Sequence, residues 1–166
     1  MVPGNTQNYY QEVNIEGGVK LTSARVHELI LESDVYINIP ILKNHSSTKL
    51  TLSMKNQMGL VWDRRFWHKN DLHQCIADYA GFHRKPDLNI LDAYNVLMKH
   101  GPRGVSKADV STMKTQLLSR DMVAIDAAAA KLFGMNPNDV PFITLADKAG
   151  VGTMDLSKLS INRIKI

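Results

Sequence analysis

Lys43-Asn44-His45, followed ten residues after the histidine by Lys55-Asn56, brings two amines, an imidazole and two carboxamides into one short stretch. An imidazole exchanges a proton near neutral pH, and a desolvated lysine amine becomes a nucleophile. The same ammonium and amide groups hold carboxylates and phosphates. These residue types therefore point to a small anionic ligand. Just upstream, Val35, Ile37 and Ile39 alternate with Tyr36 and Asn38. That period of two predicts a buried strand from Asp34, ended by Pro40, which cannot donate to a ladder. In open α/β sheets ligands bind beyond the carboxyl ends of strands, so the site is expected just past Pro40.

The elements that must position these groups follow from local pattern. From Thr48 to Leu60 the apolar residues fit either period: Leu50, Leu52 and Met54 alternate, while Leu50, Met54 and Met58 repeat every fourth residue. The hydroxyl triple Ser46-Ser47-Thr48 and the stop at Gly59 favour a helix, with Thr48, Thr51 and Lys55 on one polar stripe. The plainer alternative leaves Lys49 and Lys55 solvated and His45 closing a turn. Trp62 to Lys69 reads as a loop rich in cations and aromatic rings, of the kind that covers a strand end. A second strand, Asp87 to Asp92, is expected to bury Leu88 and Ile90 and to place Asp92 at its carboxyl end. His100-Gly101-Pro102-Arg103-Gly104 is a turn whose N–H groups and Arg103 can meet an anion, or a plain Gly-Pro turn. Asp126, an acid in an alanine-rich helix, either faces water or binds something specific.

The remaining chain predicts a hairpin from Tyr10 to Leu21 turning at Gly17-Gly18, and a helix from Ser23 to Leu31 with Val26, Leu29 and Ile30 inward. Asn70 caps a helix that ends near Gly81. Thr115 to Leu118 is a short strand, Asp121 caps a helix from Met122 to Phe133, and Asn138 caps another from Asp139 to Ala149. Leu159 to Ile164 reads as an edge strand. Strands alternating with helices imply an α/β fold: a layered sheet with helices packed on it, its strands mixed or mostly parallel with an antiparallel edge.

The chain of 166 residues suits one α/β domain, or part of a larger two-lobed protein. Its net charge of +4 fits an anionic ligand or an acidic partner. No apolar run is long enough for a membrane span, and the N-terminal residues lack a signal-peptide pattern, so a cytoplasmic setting is the default expectation. No recurring stripe of basic and aromatic residues argues for nucleic acid. Cys75 is the only cysteine, so no internal disulfide and no iron–sulfur cluster is expected on this chain. His68, His73, Cys75 and His83 lack zinc-knuckle spacing. Walker, dinucleotide and Gly-x-Ser-x-Gly patterns are absent.

Taken in order, Asn38-Ile-Pro-Ile-Leu-Lys-Asn-His45, Thr51 to Gly59 around Lys55-Asn56, and Arg65-Phe-Trp-His68 form a set with Leu91-Asp92-Ala93 and Gly101-Pro102-Arg103-Gly104. Ser119-Arg-Asp-Met-Val-Ala-Ile-Asp126 and Gly150-Val-Gly152 complete it. Together they resemble the domain of unknown function 362 family. Its members are usually longer and often carry an iron–sulfur segment, so the resemblance implies a C-terminal portion without that segment. A more distant similarity is to the lactate racemase family, in which a histidine, a lysine ten residues on and a further histidine serve a nickel pincer cofactor. It implies His45 as proton-transfer base, Lys55 as cofactor attachment and His68 as metal ligand, although Ser53 and Met54 stand where that family has glycines.

The expected site thus comprises His45 and Lys55 as reacting groups and His68 as a metal ligand. Lys43, Asn56, Arg65, Arg103, Asp92 and Asp126 are expected to bind or orient a small anion, cofactor or metal, in isomerase-type or redox chemistry. The rival reading is a non-catalytic half-domain that docks on a partner lobe or a second copy through the basic segment Arg64 to Lys69, with Trp62, Phe66 and Trp67 in the contact.

Overall fold

The computed structural model describes residues 4–165. Its central feature is a five-stranded mixed sheet built around β6 (Leu88–Leu97). Along one edge of β6 run β3 (Ile37–Asn38) and β4 (Ile41–His45), both parallel to it. Antiparallel β5 (Lys49–Thr51) extends that side and antiparallel β7 (Val110–Ser119) covers the other edge. A mixed sheet with antiparallel outer strands is what the sequence implied. A separate antiparallel pair, β1 (Tyr10–Asn14) and β2 (Ser23–His27), stands apart from it.

Pro40 interrupts the first long strand instead of ending it. The proline has no N–H to give, but its carbonyl still accepts from Asp92 N at 2.8 Å, so the chain stays on β6 and resumes as β4. Lys43, Asn44 and His45 therefore fall within β4 and not in a loop beyond a strand end at Pro40.

The predicted alternation is present, with its faces exchanged. Val35, Ile37 and Ile39 are 65%, 47% and 63% exposed, whereas Tyr36 and Asn38 are buried. Likewise Leu88 and Ile90 are only partly covered, while Asn89 and Leu91 are buried and Asp92 falls within the strand. Inward polar groups are tolerated because each is bonded: the Tyr36 hydroxyl donates to Gln57 Oε1 at 2.8 Å and Asn38 Nδ2 to Asn89 Oδ1 at 2.9 Å.

Residues 49–51 form a strand because Lys43, Asn44 and His45 pair with Thr51, Leu50 and Lys49, so the alternating pattern decided that segment. A helix begins only at α2 (Ser53–Asn56), after α1 (Glu28–Glu32), and passes into a 3-10 turn at Gln57–Leu60. Thr48 and Thr51 accordingly share no helical stripe with Lys55. The hairpin returns through Ser23–His27 rather than Val19 to Leu21, because Lys20 N and Leu21 N both donate to the Asp78 carboxylate at 2.8 and 2.9 Å. Pairing with β1 makes Ser23–His27 extended, which shortens the predicted helix to α1 and leaves Leu29 exposed.

Trp62 to Lys69 contains a helix, α3 (Arg64–Lys69), whose Trp67 is buried against Tyr79 with ring centroids 5.5 Å apart. Asp71, not Asn70, caps α4 (Leu72–Ala80), accepting from Gln74 N at 3.1 Å. The alanine-rich α5 (Met122–Leu132) buries Ala127, Ala129 and Ala130 in the core, as its thin face implies. Asn136 caps the turn before α6 (Pro141–Lys148). The expected strand Leu159 to Ile164 is irregular: Ile161 and Ile164 are exposed, and among the described residues no strand pairs with it.

Candidate functional site

The four residues of α2 are too few to hold a shape alone, and their geometry is imposed from below. Asp126, completely buried on α5, accepts from Ser53 N at 2.7 Å and from Met54 N at 3.0 Å, each on its own carboxylate oxygen. Asn38 Nδ2 reaches Ser53 O and Ser53 Oγ at 3.2 and 3.1 Å, Ser53 Oγ donates to Asn89 Oδ1 at 2.8 Å, and Asn89 Nδ2 reaches Ser119 O. Asn56 Nδ2 closes the network on Asn38 Oδ1 at 2.8 Å. A buried polar network of this kind specifies one arrangement, because any shift leaves donors unpaired. Here it fixes where Lys55 points.

Lys43 and Thr51 face each other across the β4–β5 pairing, and His45 follows Lys43 with the same parity. Together with Lys55, Asn56, Met58, Arg64 and His68 they line a cavity of about 340 Å³, with Gly59 and Pro102 on its rim. Its lining holds Lys43, Lys55 and Arg64 and no carboxylate. Thr51 Oγ1 is buried there and, among the described residues, has no hydrogen-bond partner. A larger hollow of about 440 Å³ lies between β2 and α3, but Glu12 and Asp63 offset Lys20 and Arg25 in its wall. The smaller cavity carries the unbalanced charge, and the chemistry is sought there.

Burial, aided by the nearby Lys55, Lys43 and His68, lowers His45 to about 4. Burial, with Lys43 second, also lowers Lys55 from its ordinary value. Geometry assigns the imidazole proton as well. His45 Nδ1 receives N–H groups from Ser47 and Thr48 at 3.1 and 3.4 Å, so its lone pair is occupied and the proton sits on Nε2. Lys55 Nζ has only the Met58 thioether at 3.9 Å as a partner among the described residues.

Of the residues expected from sequence, Lys43, His45, Lys55, Asn56 and His68 meet at this cavity. Arg65 does not line it; its neighbour Arg64 does, because the segment is helical and the two side chains diverge. Arg103 is exposed and outside the lining, which Pro102 reaches instead. The N–H groups of that turn are engaged internally: Gly101 N donates to Asn44 Oδ1 and Gly104 N to His100 O, both at 2.9 Å. Asp92 lies on the outward face of β6, paired across from Ile41 and Gln116, and its carboxylate accepts from Tyr94 N at 2.8 Å. Asp126 binds backbone rather than ligand.

Two of the sequence motifs are structural. Asp121 caps α5 through Val123 N and Ala124 N and also accepts from Thr153 N, with Gly152 so close that a Cβ there would lie 2.1 Å from Asp121 Oδ1. Thr51, Met58 and Arg64 are not among the expected site residues, although Thr51 is expected beside Lys55 and Arg64 in a docking contact, and the Asn38–Ser53–Asn89 network escaped sequence reasoning. Two asparagines at inward strand parity were the available sign of the network.

The residues fit no metal centre of their own. Among those described, no three metal-ligating side chains come together, and the cavity lining offers His68 only His45 as a companion. Cys75 is buried, donates to Asn70 O at 3.2 Å and has its thiol pushed up to about 11 by burial, the profile of a structural cysteine.

No solved structure matches the chain. It is 26% identical over 135 residues to a thylakoid-associated protein of Synechocystis sp., an alignment that covers 76% of this chain and 41% of that relative. The chain thus spans less than half the length of the curated relative it matches. No helix among the described residues is long and apolar enough to cross a membrane. The family described as domain of unknown function (DUF362) matches residues 2–131, which include β1 through β7, all of α5 but its last residue and every residue lining the cavity, and the chain belongs to that family.

Proposed function

We propose that this chain binds a small carboxylate or phosphate in the cavity between β4, β5 and α2, with His45 and Lys55 as its reacting groups. The observation that carries the reading is the lining itself: Lys43, Lys55 and Arg64 converge without a carboxylate. Cations crowded in a half-buried hollow repel one another, and an anion relieves that repulsion. His45 donates through Nε2–H, the nitrogen left free by the N–H groups of Ser47 and Thr48 at Nδ1. The imidazole then acts first as a neutral hydrogen-bond donor, not as the proton-accepting base that the racemase similarity implied.

Calorimetric titration of wild type and Lys55→Met with inorganic phosphate tests this. A charge-assisted bond contributes about 1.5–3 kcal/mol, so the variant is expected to bind about 10- to 100-fold more weakly. Equal binding by both proteins, or none by wild type, overturns the proposal.

A separate observation favours docking on a partner lobe as a second reading. Ile37 pairs with Leu88 and Ile90 with Leu118, so these side chains share one face of the sheet with Ile39 and Ile41. Ile37, Ile39, Ile41 and Leu118 are 47–63% exposed. Parallel strand pairs are normally covered on both faces, whereas this face stays open along Ile37, Ile39 and Ile41. More than half of the Synechocystis relative lies outside the matched region, enough for a lobe to cover this face. Because Lys43 and His45 continue the outward parity of Ile41, that lobe would also close over the cavity. Trp67, expected in such a contact, is in the core.

On this reading the isolated chain self-associates in light scattering and binds the neutral dye Nile red. Ile37→Lys with Ile39→Lys is expected to diminish both by about severalfold, in line with loss of an exposed apolar patch. A monomeric wild-type chain that binds no dye contradicts it.

A further inference from the structure

Lys55 differs in its surroundings from an ordinary surface lysine. It is half-buried, its amine meets a thioether instead of an acid, no carboxylate lines its cavity, and Asp126 beneath α2 is spent on Ser53 N and Met54 N. By contrast, Lys158 pairs with Asp155 at 3.5 Å and Lys85 donates to Val151 O at 3.3 Å. Burial and the neighbouring Lys43 enlarge the uncharged fraction of the Lys55 amine. Crowding an amine with a second cation in a desolvated hollow is a known route to imine-forming lysines.

We propose that Lys55 captures a small aldehyde or ketone bearing an acidic group as an imine, with Lys43 and Arg64 holding the anionic end. This deepens the anion-binding reading and rests on it. The amine lone pair attacks the carbonyl carbon, and the C=O π pair moves to oxygen, where a proton relayed from the amine forms a carbinolamine. Departure of that hydroxyl as water, with loss of the remaining N–H proton, leaves the C=N bond. One water is released and no redox partner is needed. His45 Nε2–H, on the same cavity wall, is the group placed to polarise the carbonyl, and the Asn56 side chain is held beside Lys55 by Asn38.

The test uses the intact chain, glyoxylate as the anionic aldehyde, and cyanoborohydride to trap the imine, with peptide mass spectrometry to locate adducts over time. Lys55 is expected to be modified at least about tenfold faster than exposed Lys49 or Lys69, since the charge-guided pose replaces random encounter. Propionaldehyde, of similar size and neutral, is expected to lose most of that preference. Excess phosphate is expected to slow the Lys55 reaction while leaving the exposed lysines unchanged. A Lys55 adduct forming no faster than those at Lys49 and Lys69 overturns the imine proposal. If phosphate still binds in that case, the anion pocket stands without covalent chemistry; if phosphate fails to bind as well, both readings fall.

Discussion

Asp126→Ala is expected to lower unfolding stability by about 2 kcal/mol or more, because two buried N–H groups lose their acceptors and each buried donor left unpaired costs about 1–3 kcal/mol. Asp126, Ser53 and Met54 are all buried, so these N–H groups have no contact with bulk solvent. Asp126→Asn keeps one carbonyl oxygen and is expected to lose about half as much. Urea melts of the three proteins measure the difference, and a loss below about 1 kcal/mol for the alanine variant would contradict the role assigned to Asp126.

The same residue sets a pH signature. Burial raises the Asp126 carboxyl to about 8, against the two N–H donations that favour its charged form. The folded state therefore holds this proton more tightly than the unfolded chain, whose aspartates titrate near about 4. Stability drawn from Asp126 is full below about 4 and declines as pH rises towards 8. His45 runs the other way: with its folded value lowered to about 4 from 6.5, its contribution is full above 6.5 and is lost as pH falls through 4. The two slopes oppose each other up to about 6.5, and above that only the Asp126 slope continues.

The second large effect is on His45 itself. A value of about 4 means that the ring binds a proton roughly 300-fold more weakly than an ordinary histidine. Burial is the leading cause, and the positive charge of Lys55 comes next. Lys55→Met is therefore expected to raise the His45 value appreciably without restoring 6.5, because the burial remains. Side-chain NMR of the imidazole across pH reads this directly. An unchanged titration in the variant would mean that the two groups do not feel each other across the cavity.

Much of this was visible in residue order. The convergence of Lys43, His45, Lys55, Asn56 and His68 follows from a strand, a tight return and a short helix; the period-two residues Leu50 and Leu52 signal the return strand, whereas the hydroxyl triple Ser46-Ser47-Thr48, expected to cap a helix, forms the turn between β4 and β5. What misled was the assumption that the β-branched side of a strand faces the core. At Val35, Ile37 and Ile39 the apolar side faces outward, and the inward places belong to Tyr36 and Asn38. Local pattern cannot distinguish these cases, because the partners of Asn38 lie 15 and 51 residues away in sequence at Ser53 and Asn89. The roles of Asp126 and Gly152 were hidden for the same reason, each being set by a contact distant along the chain. Arg65 enters through the family-like piece Arg65-Phe-Trp-His68, but the helical direction of α3 turns Arg64 into the cavity instead.

A single titration bears most directly on the cavity as an anion site: the pKa of the His45 imidazole, followed by NMR in wild-type protein with and without saturating phosphate. The value is expected near 4 in the free protein and clearly higher with phosphate bound, as an anion beside the ring offsets Lys43 and Lys55. A ring that titrates at 6.5 in the free protein, or whose value near 4 is untouched by phosphate, would contradict the account.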